Sequence, residues 1–153
     1  MEKLNFIVAT KEIVDELFEF EKVCFENKPD QFSKRSLRHL IVSPTSRTII
    51  IRNEKGKICA AAIGLLRHFK IPSGRIYKIG VLTEFARRGV GTALIEEIEK
   101  WFKNSGMKKT CAEVRESNTP SRRMFEKKGY VETKTLYYFY AGGENAAKYW
   151  KDL

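Results

Sequence analysis

The residues best suited to chemistry gather where an apolar strand, Ile79-Gly80-Val81-Leu82, gives way to a helix through Arg87-Arg88-Gly89-Val90-Gly91-Thr92. Glycines at such a junction let the backbone approach a ligand and take conformations closed to other residues. The first N–H groups of a helix lack intrahelical acceptors, and with the positive end of the helix dipole they form a site for anions. Arg87 and Arg88 add positive charge, and Thr92 adds a hydroxyl donor. A diphosphate is the natural guest. The bland alternative is a tight turn whose glycines serve packing alone. No Gly-Lys-Ser/Thr follows, and the third glycine and downstream acid of a dinucleotide fingerprint are missing.

A second candidate is Glu113, within Thr110-Cys111-Ala112-Glu113-Val114-Arg115. A strand between parallel neighbours is normally apolar on both faces, so a carboxylate there must be paired, protonated or turned to a cavity. One reading is an ion pair with Arg115, on the same face, or with a nearby lysine. The other is a base beside a substrate.

The elements that must position these groups follow from periodicity. Asn5–Ala9 reads as a short strand. A helix capped by Thr10 carries Ile13, Val14, Leu17, Phe18, Val23 and Phe25 to about Asn27, where Pro29 and Asp30 break it. Ser33 caps a short helix with Leu37, Leu40 and Ile41, stopped by Pro44. Thr48–Ile51 and Ile58–Leu66, joined by a turn at Asn53–Gly56, read as a hairpin. The strand Arg75–Leu82 follows, with Gly80 marking a bulge or a close ligand approach. The helix from Val90 to Asn104 shows an apolar stripe of Val90, Leu94, Ile98, Trp101 and Phe102, and Ser105-Gly106 stops it. A strand at Thr110–Arg115, a helix from Pro120 to a Gly129 cap, and strands near Tyr130–Phe139 and Ala147–Leu153 complete the order. The pattern predicts an α/β fold: a mixed, mostly antiparallel sheet of about seven strands. A central parallel β-α-β unit and helices on both faces complete it.

The 153 residues fit a single domain, 1–153, and the 42% apolar fraction supports a core. No apolar run reaches the roughly 20 residues that span a bilayer, and the start lacks a secretion signal, so a cytoplasmic protein without membrane partners is expected. Cys24, Cys59 and Cys111 are widely spaced and read as small core residues; with only His39 and His68, no metal site is expected. A net charge of +10 favours polyanionic or phosphate-bearing partners, or reflects a lysine-rich solvated surface. Nucleic-acid binding is disfavoured because the aromatics fall mostly on core faces.

The loop's spacing resembles the Gln/Arg-x-x-Gly-x-Gly/Ala motif of the GCN5-related N-acetyltransferases, with Gly89 and Gly91 matching and Ala86 at the Gln/Arg position. Glu113-Val114-Arg115-Glu116-Ser117-Asn118, followed by Phe125-Glu126-Lys127-Lys128-Gly129-Tyr130, resembles the subgroup that acetylates ribosomal-protein and other protein N-termini. The resemblance implies acetyl-CoA as cofactor. Its diphosphate would sit on Arg87, Arg88, Gly89, Val90, Gly91 and Thr92, and its pantetheine arm along the backbone of Ile79, Gly80 and Val81 and beside Asn118. Glu113 would be the general base that deprotonates the amine, and a backbone N–H near Val81 would meet the oxyanion.

Where the subgroup carries a tyrosine as proton donor to the thiolate, this chain has Phe125. Tyr130, Tyr137, Tyr138 or water would then supply the proton, or no dedicated acid is needed. Tyr137-Tyr138-Phe139-Tyr140 and Gly143-Glu144-Asn145-Ala146 resemble the segment bordering the peptide entrance, and read equally as edge-strand packing. Glu19-Phe20-Glu21-Lys22-Val23-Cys24-Phe25 resembles the Glu-x-x-x-Phe helix beside the substrate groove.

The reaction expected is acetyl transfer to a primary amine, foremost a protein N-terminus or ribosomal protein, by a monomer or homodimer. A small-molecule amine is the alternative acceptor, and polyamines are disfavoured by the positive charge. Ala86 and Phe125 motivate a third reading, a non-catalytic coenzyme A-binding module.

Overall fold

The computed structural model describes residues 4–25 and 31–153. The strands are β1 (Phe6–Val8), β2 (Ser46–Arg52), β3 (Ile58–Arg67), β4 (Ser73–Val81), β5 (Lys109–Arg115), β6 (Val131–Leu136) and β7 (Ala146–Asp152). The helices are α1 (Val14–Cys24), α2 (Lys34–Val42), α3 (Val90–Asn104) and α4 (Thr119–Lys127). The strands form one seven-stranded sheet in the order β1-β2-β3-β4-β5-β7-β6. β4 and β5 are parallel, while the other neighbours pair antiparallel. This is the predicted architecture, and the parallel pair is the one that needs a crossover helix, α3.

Two apolar layers flank the sheet. Leu17 and Phe20 of α1 and Leu37 of α2 pack on one face with Ile50, Ile58 and Ile63. Leu94, Ile95, Ile98 and Phe102 of α3 bury completely on the other. The central strand β3 serves both faces with Cys59-Ala60-Ala61-Ala62, whose small side chains let both helix layers close. A Cβ on Gly74 would lie 2.3 Å from the Phe102 ring, so that glycine gives the aromatic its place. Ser33 caps α2 as expected, its hydroxyl accepting from Ser36 N–H at 3.1 Å.

Two local expectations are corrected, and one lies outside the described residues. Thr10 opens a short 3-10 turn without a side-chain cap bond, and α1 begins at Val14. The expected end near Asn27, with its break at Pro29 and Asp30, lies outside the described residues. The bulge in β4 falls at Tyr77 rather than Gly80, because pairing with β3 steps from Ile63–Lys78 to Gly64–Ile76. A bulge bends its strand and increases twist, and the consequence lies next door. β4 and β5 pair only from Ser73–Lys109 to Ile76–Ala112, and beyond that they separate.

Candidate active site

The separation of β4 from β5 opens a cavity of about 310 Å³. Its walls include Ile76 to Ile79 from β4, Ala112 to Arg115 from β5, and Asn118, Ser121 and Phe125 from α4 and its cap. Phe25 and Phe32 close one side and Phe139 and Tyr140 the other. The β4 edge facing this gap has no strand partner. Leu82 N–H donates to Cys59 C=O at 2.9 Å, so alternation along the antiparallel ladder turns Gly80 towards β3 and leaves the backbone groups of Ile79 and Val81 facing the split. The backbone groups of Gly80 therefore do not face the split. Its lack of a side chain serves packing, since a Cβ there would lie 2.7 Å from Cys24 Sγ and 2.8 Å from the Phe25 ring.

Past the end of β4, a 3-10 turn at Thr83–Phe85 leads into the glycine loop. Gly89 caps α3 at φ 76°, a left-handed conformation, and offers no side chain to the first-turn N–H groups. Those of Val90, Gly91 and Thr92 are thus left without an intrahelical acceptor. Arg87 is held at φ 63°, also left-handed. Gly91 makes room for α4: a Cβ there would come within 2.6 Å of Met124 Sδ. The loop does not line the cavity. It stands at the outlet of β4, with Arg88 over the Phe85 ring at 5.6 Å and facing a separate open cleft between β1 and the β2–β3 turn.

Glu113 is 6% exposed and both its carboxylate oxygens are engaged, one by Arg75 and the other by Lys148 Nζ at 2.5 Å. The expected alternative of a nearby lysine is met by Lys148, the cross-strand neighbour on β7. Arg115 instead pairs with Glu144 at 2.9 Å and lies 4.1 Å from the Tyr140 ring centroid. Glu144 also accepts from Ser117 N–H and hydroxyl, and the Ser117 hydroxyl above all pulls its carboxyl down to about 2. Across the cavity Lys78 pairs with Glu21 at 2.6 Å and lies under Phe32 and Phe25, 3.8 and 4.1 Å from their centroids. Asn118 Oδ1 caps α4 through Ser121 N–H at 3.2 Å.

Of the candidate proton donors, Tyr130 is removed by the structure. Its hydroxyl is buried between Thr110 and Glu99, and burial raises its pKa. Tyr137 and Tyr138 are exposed and do not line the cavity. Tyr140, Tyr77 and Ser121 do line it. Phe125 packs between Tyr130 and Tyr149 with its ring in the cavity wall. Ile79, Glu113 and Asn118 are thus brought together. Tyr140 belongs to the aromatic segment read as a peptide-entrance border or edge-strand packing, whereas Arg75, Lys78 and Lys148 are not singled out by the sequence. The signal present for the first two was two cations in the otherwise apolar strand Arg75–Leu82. Among the described residues no cluster of metal-ligating side chains occurs, and no helix is long and apolar enough to cross a membrane.

The family model described as acetyltransferase (GNAT) family matches residues 13–130. The chain belongs to this family. Within the GNAT family, an N-alpha-acetyltransferase of Sulfurisphaera tokodaii is 36% identical over 77 residues, 50% of this chain and 46% of the relative. The match spans about half the length of such curated relatives. Arabidopsis thaliana NAA60 in complex with acetyl-CoA superposes with a TM-score of 0.87 at 12% identity, covering 99% of each chain. The ribosomal-protein-S18-alanine N-acetyltransferase of Escherichia coli superposes at 0.81 with 18% identity, covering 98% of this chain and 94% of that one. At these identities the likeness is one of fold alone.

Proposed function

We propose that this GNAT protein transfers acetyl from acetyl-CoA to the α-amine of a polypeptide. The observation carrying this reading is the split between β4 and β5, which leaves an unpaired backbone edge leading from the cavity to the α3 N-terminus. That edge suits a pantetheine arm, which carries amides able to bond like a strand. Ile79 and Val81 would hold it, and Asn118 would border it. Arg87, Arg88 and the N–H groups at Gly89, Val90, Gly91 and Thr92 would hold the diphosphate. Because backbone donors do this work, Ala86 weakens binding without abolishing it.

Glu113 would take the proton of the acceptor amine, directly or through one water. Val81 N–H would meet the negative charge that develops on the acetyl oxygen. A thiol pKa near 8.5 makes the thiolate a fair leaving group, so Phe125 is compatible with turnover without a dedicated acid. The aromatic walls Phe25, Phe32, Phe139 and Tyr140 form an entrance wide enough for a chain end, and the N-alpha-acetyltransferases among the relatives support that acceptor. Cys24, Cys59 and Cys111 form no disulfide, in keeping with a reducing, cytoplasmic site of action.

The test is release of coenzyme A thiol from acetyl-CoA with short peptides. Transfer to free N-termini, and none to the same peptides with blocked N-termini, supports the proposal. Equal transfer to blocked peptides bearing lysine would overturn the α-amine assignment.

A further inference from the structure

We propose that the end of the sheet away from the cavity docks on an anionic lipid surface, with the turn between β3 and β4 entering the headgroup layer. The proposal goes beyond acetyl transfer and stands apart from it.

The distribution of charge along the chain comes first. Residues 31–83 hold eleven Lys and Arg against one acid, Glu54, a balance equal to the +10 of the whole chain. Four of these cations reach carboxylates of other elements. Those at the β3–β4 turn do not. Arg67 and Lys70 have no ion pair among the described residues, and neither has Lys108, which is tied to the turn by its N–H donating to Pro72 C=O at 2.8 Å. The two segments that build this end, residues 55–83 and 100–112, contain no acid. Asp152, arriving from β7, is answered by Lys109 at 3.2 Å.

The structure adds an apolar tip to this cationic end. Phe69 is 66% exposed and Ile71 53%, one on each side of Lys70, and neither joins the two apolar layers of the fold. At a lipid surface such side chains enter between the headgroups, while the long cations beside them stay level with the phosphates. RNA is the other polyanion to consider, and it favours a groove with several rings on which bases stack. At this turn Phe69 is the one ring, and Ile71 offers no π face, so a flat interface fits better.

Orientation agrees. β4 begins at Ser73 beside the turn, and its other end carries Ile79 into the cavity wall. Docking by the turn therefore leaves the cavity mouth facing water. The expectation of no membrane partner followed from the lack of a spanning segment, and surface contact needs none.

The experiment measures sedimentation of the protein with vesicles at about 0.1 M salt. The vesicles are phosphatidylcholine alone, or phosphatidylcholine with about one-third phosphatidylglycerol. Binding at least about tenfold stronger to the mixed vesicles is expected. Arg67→Gln with Lys70→Gln should weaken it roughly 30-fold, at about fivefold per cation. Phe69→Ser should weaken it about tenfold. Arg123→Gln with Lys127→Gln removes the same charge from exposed positions on α4 and should leave binding nearly unchanged. The wild-type contrast between the two vesicles decides the matter even if a variant does not fold. Equal or no binding to the two vesicles would overturn the proposal. So would an equal loss from the α4 pair, which would mean attraction by net charge without a face. Tighter binding to single-stranded RNA at the same salt, weakened by the Arg67 and Lys70 substitutions, would overturn it in favour of nucleic acid. None of these outcomes bears on acetyl transfer, which coenzyme A release tests separately.

Discussion

The two halves of the site are built by different means. At the α3 N-terminus the working groups are backbone N–H groups, fixed by one contiguous loop and a left-handed Gly89. Around Glu113 they are side chains contributed by β4, β5 and β7, held by ion pairs between strands distant in sequence. On the proposed reading the first half would tolerate departures such as Ala86, because its donors are backbone groups. The second depends on individual residues, and there single substitutions have large consequences.

The sharpest way to separate the halves is Glu113→Gln. Turnover is expected to fall about 100-fold or more, the usual worth of a general base, while acetyl-CoA still raises the melting temperature. Loss of both together would mean that the halves are not independent. Next in size is Gly91→Val. The added side chain collides with Met124 of α4, and a loss of about 1–3 kcal/mol in urea denaturation is expected, as for overpacking, together with weaker acetyl-CoA binding. Gly89→Ala meets no neighbour and carries only the left-handed strain, so about 1 kcal/mol is expected in the same assay. An unchanged midpoint would show that the loop relaxes.

The smallest effect concerns pH. The folded Glu144 carboxyl is lowered from its ordinary 4.5 to about 2, by Ser117 first and Arg115 after it. A depressed folded value means that its contribution is present above 4.5 and lost as pH falls towards 2. Because the Glu144 side chain is partly exposed and its ion pair with Arg115 is screened by solvent, the expected change is slight. Glu144→Gln should flatten that part of the stability–pH curve, measured by urea midpoints, and leave the neutral range nearly unmoved.

The same contrast explains what could be read from the sequence. Element order, the bounds of α3, the cap at Ser33 and the glycine turn before α3 all follow from neighbours in the chain, where spacing is geometry. Glu113 stood out because a lone acid interrupts an apolar strand. Its partners did not, because Arg75 and Lys148 meet it only once the strand order β4-β5-β7 is known. Gly80 was misread for a related reason. The sequence marks a glycine in a strand, but only the register shows that the bulge lies at Tyr77 and that Cys24 and Phe25 occupy the space above Gly80. Tyr130 looked like an available hydroxyl until Glu99, on another helix, was found bonded to it at 2.7 Å.

The central claim is that the split strands and the α3 N-terminus form an acetyl-CoA site, and a thermal melt with and without the ligand tests it most directly. At 100 times Kd, binding should stabilise the fold by about 2.7 kcal/mol, a rise of roughly 5–11 °C for a domain of this size. That rise, retained in Glu113→Gln, is the predicted result. No shift at millimolar acetyl-CoA would contradict the account, leaving the glycine loop as a turn and the split as a cavity for some other ligand.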